Sequence, residues 1–396
     1  MKKYWVIALA VIMVLGLIMT GCTQSTVPAK ESQAPETEAP ETEAPETEAP
    51  SASVEEPAEA PAADEILSTG PNGEKATTAT VLSLTDEEIQ KVKEGGYKAA
   101  ICFHYAGNDW STAQQKGLQD TFAKLGIEVV SVTDANFKPE QQVSDIETVL
   151  ALNPDIIVSI PTDPVATAPA YKKAAAQGVK IVFMDNCPVD MKAGVDYVSV
   201  VSADNYGNGV KAAEIMADNL GGKGKIGVIY YDADFFVTNQ RVEAFEKTIA
   251  TKYPDIEIVE KSGFEDPNKV SVVADAMLTK NPDLDGIFAV WDVPAEAVVA
   301  SAIAAGRTDL VITTIDLGNN VARMIAEGGL VKGLGAQLPY DQGVAEATLA
   351  AYALLGKEAP QYVAVPALAV TYDNILEAYK TVYHTEAPDD IKNAKK

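Results

Sequence analysis

Eleven side chains of this sequence stand where apolar runs of strand length end, and their chemistry is of one kind. His104 closes the run Lys98–His104, with Asn108 and Trp110 just beyond it; Asp185 and Asn186 follow Val179–Met184. Further on, Arg241 opens a helical stretch after Lys225–Tyr231, Phe264 follows Ile256–Glu260, and Trp291 and Asp292 follow Gly286–Val290. Asp316 follows Leu310–Ile315 and Gln337 follows Leu330–Gly335. Planar amides, carboxylates, a guanidinium and aromatic faces hold a polar solute without forming covalent bonds to it, the charged forks exchanging paired hydrogen bonds with its polar groups. Asp185 and Asp316 are also the carboxylate pair that an extracellular carbohydrate hydrolase would need. No nucleophile elbow or metal motif accompanies them, so an enzyme is not the reading favoured. Two histidines, His104 and His384, and three cysteines without a CxxC pair leave no usual zinc ligand set and no disulfide scaffold. No cofactor is expected, and Cys102 and Cys187 read as small buried hydrophobes.

The elements that must carry these residues alternate. Strand-like runs Lys98–His104, Ile127–Val132, Ile156–Ile160, Val179–Met184 and Tyr197–Val201 are separated by helical patterns over 111–124, 139–152 and 164–177. The rhythm restarts at Lys225–Tyr231, with Asn281-Pro282-Asp283 standing before an apolar run as Asn153-Pro154-Asp155 does in the first half. Helices are expected there over 239–251, 268–280 and 294–305. Short, continuously apolar strands between helices predict parallel sheets covered on both faces. The economical fold is therefore α/β, two Rossmann-like lobes whose strand carboxyl ends face a shared crevice, where such sheets place ligands.

Taken in order, Asn108 and Trp110 before a helix ending in Lys124-Leu125-Gly126, Ile160-Pro161-Thr162-Asp163, Val182-Phe183-Met184-Asp185, Ser202-Ala203-Asp204-Asn205, Phe288-Ala289 with Asp292, Ile315-Asp316 and Ala336-Gln337-Leu338-Pro339 resemble ribose-type periplasmic binding proteins. The resemblance runs over residues 97–383. It implies the solute-binding component of an ABC sugar importer, with crossovers between lobes near Ala203-Asp204, Ala336-Gln337 and Pro366-Ala367. One lobe is then 97–203 with 337–366, the other 204–336 with 367–383, and 384–396 is a tail. It also implies that Trp110, Trp291 and Phe264 stack on the C–H face of a sugar while Asp185, Arg241, Asp316 and Gln337 hold its hydroxyls. The chain departs from the ribose-specific pattern at Asn186 (arginine there), Trp291 (asparagine), Ser111 (phenylalanine) and His104 (a small hydroxyl residue). A hexose, another pentose, a sugar alcohol or a furanosyl signal stay open as ligands. So does a receptor of the same fold that signals to a sensor kinase or chemoreceptor.

The formal charge of −26 is uneven. Residues 23–65 hold twelve carboxylates against Lys30, a net −11, which with Lys2 and Lys3 leaves −17 for residues 66–396. Such a balance speaks against nucleic acid as a partner. Met1-Lys2-Lys3, an apolar run from Tyr4 to Met19 and Thr20-Gly21-Cys22 read as an export signal over 1–21. Met19-Thr20-Gly21-Cys22 resembles a bacterial lipobox, which implies lipidation of Cys22 and a membrane anchor that does not span the bilayer. Glu-Thr-Glu-Ala-Pro, repeated three times over Glu36–Pro50, belongs to a low-complexity stretch too proline-rich and too like-charged to form a core. A disordered acidic tether over 22–80 is expected, holding a monomeric solute-binding protein near permease subunits in the membrane.

Overall fold

The computed structural model describes residues 65–396. The leader, Cys22 and the repeats lie outside the described residues. In chain order the elements are β1 (Thr77–Thr78), α1 (Asp86–Gly95), β2 (Lys98–Phe103), α2 (Asp109–Lys124), β3 (Glu128–Asp134), α3 (Pro139–Leu150), β4 (Ile156–Ser159), α4 (Ala168–Ala176), β5 (Lys180–Met184) and β6 (Ser199–Ala203). Then follow α5 (Asn205–Leu220), β7 (Gly224–Tyr231), α6 (Phe236–Lys252), β8 (Ile256–Phe264), α7 (Val270–Lys280), β9 (Gly286–Ala289), α8 (Asp292–Ala304), β10 (Val311–Ile315) and α9 (Asn319–Ala326). The chain ends with β11 (Val331–Ala336), α10 (Pro339–Leu355), β12 (Tyr362–Val365), β13 (Leu368–Thr371), α11 (Ile375–Tyr383) and α12 (Asp389–Ala394).

The strands form two sheets. One has the order β1-β12-β6-β5-β4-β2-β3 and is parallel throughout; the other runs β13-β11-β10-β9-β7-β8, with only β13 antiparallel to its neighbour. The chain passes between the sheets three times, after β6, after β11 and between β12 and β13. Strand alternation explains how one sheet feeds two cores. Ala99, Ile101 and Phe103 of β2 join the apolar cluster with Leu118, Phe122 and Leu349, while Ala100 and Cys102 join the one with Ile146, Tyr171 and Phe183.

The structure corrects the expected ends. The acidic segment does not run free to residue 80. From Ile66 it is packed: Ile66 and Ala76 rest on the first lobe's cluster, Ser68 is buried, and β1 pairs with β12. The tail is likewise held, because Ala387 and Ile391 are buried in the second lobe's core and draw α12 onto it. Helix α6 begins three residues earlier than expected, at Phe236, which places Arg241 in its second turn and not at its start.

Candidate functional site

Both sheets deliver an aspartate into the crevice by the same device. Asp185 directly follows β5 and Asp316 directly follows β10, and each has left-handed backbone, φ 56° and 71°. Their N–H groups still donate to the neighbouring strand, Asp185 to Val201 O (2.8 Å) and Asp316 to Gly335 O (3.1 Å). A non-glycine residue held so costs on the order of 1–3 kcal/mol, and such strain concentrates at sites that need a side chain aimed out of its natural direction.

A hydrogen-bonded network joins the two aspartates through the first crossover. Ser202 Oγ donates to Asp185 Oδ1 (2.7 Å), and Asn205 Nδ2 donates to Ser202 Oγ (2.9 Å). Asn205 Oδ1 accepts from Arg241 Nε (2.8 Å), Arg241 Nη1 donates to Asp316 Oδ2 (3.1 Å), and Gln337 Nε2 donates to Asp316 Oδ1 (2.7 Å). Arg241 is 4% exposed, so the guanidinium and Asp316 form a buried pair whose geometry is fixed from several sides. Burial pushes the Asp185 carboxyl up to about 6, against the opposing pull of the Ser202 hydroxyl and Arg241.

Asp185, Arg241, Asp316 and Gln337 of this network line a cavity of about 450 Å3 between the lobes, within the usual range of small-molecule sites. Its apolar walls are aromatic: Tyr105, Trp110 and Phe137 from one lobe, Tyr231, Phe235 and Trp291 from the other. His104 stacks on Phe235 across the crevice, centroids 5.3 Å apart at 22°. Burial drives the His104 imidazole down to about 3, which keeps it neutral and suited to stacking. Among the described residues His104 Nδ1, Trp110 Nε1 and Gln337 Oε1 have no hydrogen-bond partner, although all three residues are buried. Buried polar atoms in that condition are what a hydroxylated guest would satisfy.

Of the eleven residues read from sequence, His104, Asn108, Trp110, Asp185, Arg241, Trp291, Asp316 and Gln337 line this cavity. Asn108 also caps α2, its Oδ1 accepting from Ser111 N at 2.9 Å. Asn186, Phe264 and Asp292 lie outside the lining. Asn186 is buried beside Asp185. Phe264, at the end of β8, belongs to the second lobe's core and meets the Trp291 ring edge-on, centroids 5.1 Å apart. Asp292 turns back on α8, accepting from Val293 N (2.8 Å), and burial with Asp316 nearby raises its carboxyl well above the usual range. Sequence reasoning missed Tyr105, Phe137, Tyr231 and Phe235. Phe137 follows the carboxyl end of β3 in left-handed backbone (φ 58°) and stacks on Tyr105 at 4.8 Å. The signal available was an aromatic residue in Asp134-Ala135-Asn136-Phe137, a strand end like the others.

Beyond the cavity, one lobe also caps a helix of the other. Helix α9 has Gly318 at its N-cap and no side chain of its own there. Asp109 of α2 supplies it, accepting from Asn319 N (2.7 Å) and Asn319 Nδ2 (2.8 Å).

Comparison with known proteins agrees with this architecture. The chain is 26% identical over 238 residues to the ribose import binding protein of Bacillus subtilis, covering 59% of this chain and 75% of that one. It is 27% identical over 256 residues to the D-allose-binding periplasmic protein of Escherichia coli, covering 62% and 80%. A solved ABC transporter solute-binding protein from Agrobacterium vitis, bound with α-D-tagatopyranose, shares its fold with a TM-score of 0.67 at 24% identity, over 72% of this chain and 99% of that one. With two parallel-sheet lobes, three passages between them and a match over residues 99–358 to the family described as periplasmic binding protein domain, the chain belongs to that family.

Proposed function

We propose that this protein is the extracytoplasmic solute-binding component of an ABC importer, capturing one monosaccharide or polyol between its lobes and delivering it to the permease. The observation that carries the reading is the interlobe cavity, where Asp185, Arg241, Asp316 and Gln337, linked through Ser202 and Asn205, face aromatic walls and buried polar atoms await partners. Carboxylates and the guanidinium take the hydroxyls, while Trp110 and Trp291 take the C–H faces. Phe264 and Asp292 act indirectly, the first by backing Trp291 and the second by fixing the start of α8. The relatives named for ribose and allose favour a sugar of that size.

The acidic segment and Cys22 fit a monomer held at the membrane by lipid. Cys22→Ala should release it from the membrane fraction. A calorimetric screen with pentoses, hexoses and polyols tests the cavity assignment. At least one should bind, with a one-to-one stoichiometry that Trp291→Ala abolishes or weakens strongly. Binding of no member, or binding untouched by Trp291→Ala, would refute the assignment.

A further inference from the structure

We infer that the segment Ile66–Lys75, which precedes the residues matched to the family, is a strap over the hinge that positions Arg241 from outside the cavity. Its anchor is Asp204, directly after β6 at the first passage between the lobes and 2% exposed. The Asp204 carboxylate accepts from Leu67 N (3.0 Å), Ser68 N (2.9 Å), Ser68 Oγ (2.8 Å) and Gly207 N (2.9 Å), so three of the four donors come from the strap. The Ser68 hydroxyl accepts in turn from Tyr206 N (2.9 Å). A buried carboxylate stripped of most of its donors does not keep its place, because its desolvation is then uncompensated.

The strap reaches Arg241 along two routes. Asn205, next to Asp204, accepts the Arg241 Nε–H and bonds Ser202, the partner of Asp185. Thr69 O accepts from Gln240 Nε2 (2.9 Å), the residue just before Arg241. Meanwhile the strap is fastened to the other lobe. Ile66 packs on that lobe's core, Asn72 Nδ2 lies 3.6 Å from Cys187 Sγ, and Thr77 and Thr78 continue it into register with Val363 and Ala364. Gly70 lets the turn lie against Tyr362, where an added Cβ would come within 3.0 Å of the ring. One peptide thus contacts both lobes and the crossover between them, and the groups it steadies are those that face the cavity. Ser68, Thr69 and Gln240 are positioning residues, since none lines the cavity itself.

The inference rests on the reading that Arg241 holds the ligand, and the test separates the two. The full chain and its Ser68→Ala, Ser68→Thr and Gln240→Met variants are titrated calorimetrically with D-ribose, D-allose and xylitol, and compared ligand-free by hydrogen exchange. For any probe the unsubstituted protein binds, Ser68→Ala should raise Kd about tenfold and Gln240→Met by severalfold, whereas Ser68→Thr, which keeps the hydroxyl, should stay within about twofold. Without ligand, exchange over Asn205–Asn208 and around Arg241 should quicken in Ser68→Ala while β3 and α3 are unchanged. A lower Tm with unchanged Kd would make the strap a stability clasp only and overturn the inference. Should none of the three bind the unsubstituted protein, the wider sugar screen tests the binding reading and the exchange data alone decide the strap: unaltered exchange at Arg241 overturns it.

Discussion

Lowering the pH from 7.5 to 5 should weaken ligand binding about tenfold through Asp185 alone. Its carboxyl is buried, held up to about 6 by desolvation, lowered by the Ser202 hydroxyl and by Arg241, and raised again by Asp316; Glu346 is a further buried carboxyl within its field. With Asp185 Oδ1 already accepting from Ser202 Oγ, a ligand hydroxyl is left Oδ2, which accepts fully in the ionised form and becomes a donor when protonated. At pH 5 only about a tenth of molecules hold it, and at pH 7.5 nearly all do, so the apparent Kd rises about tenfold over that interval. Binding at pH 5 should release close to one proton, seen in calorimetry as a dependence of the measured heat on buffer ionisation enthalpy. His104 adds nothing, being held down to about 3 and neutral throughout. Stability of the ligand-free protein moves the other way. Because the folded value lies above the unfolded one, Asp185 contributes fully below about pH 4 and its contribution is lost as pH rises through about 6. A Kd that stays flat from pH 5 to 7.5, or one whose pH dependence survives in Asp185→Asn, refutes this reasoning.

Three other outcomes follow from the same geometry. Trp110→Ala and Trp291→Ala should each raise Kd by roughly 30-fold or more, the scale for a buried aromatic anchor, measured by calorimetry. Asp109→Ala removes the cap that one lobe places on α9 of the other, about 1 kcal/mol, without touching the cavity lining. Ligand release, followed by stopped-flow tryptophan fluorescence, should quicken about fivefold. Glu346, wholly buried on α10 and bonded by Gln114 Nε2 at 2.5 Å, has its carboxyl pushed well above the usual range by burial. Its folded value exceeds the unfolded one, so it destabilises as pH rises; Glu346→Gln should raise Tm by a few degrees at pH 8 and not at pH 4, by calorimetric scanning.

Much of this architecture is legible in the chain by itself. Continuous apolar runs such as Ala99–Phe103 and Ile226–Ile229 declare strands buried on both faces, and helical patterns between them leave a parallel sheet as the arrangement that buries both. The strand ends then indicate where Asp185, Trp291 and Asp316 gather. Element starts are less legible, as α6 illustrates, because a helix beginning at Phe236 depends on what Phe235 packs against in the other lobe.

What only the tertiary structure decided is which way side chains turn at those ends and which distant segments meet. Neighbours part company there: Trp291 lines the cavity while the Asp292 carboxylate turns back onto the first turn of α8, and the left-handed turn that aims Asp185 leaves Asn186 off the lining. Strand periodicity says that such residues alternate but not which one meets the crevice, since that depends on the backbone turn at the strand's end. Likewise Ser68 and Asp204 are 136 positions apart, and Asp109 and Asn319 are 210. Local composition made residues 65–80 look like more tether. Their order comes from a buried carboxylate and an apolar face that exist only once both lobes have folded, and no propensity of the segment itself encodes them.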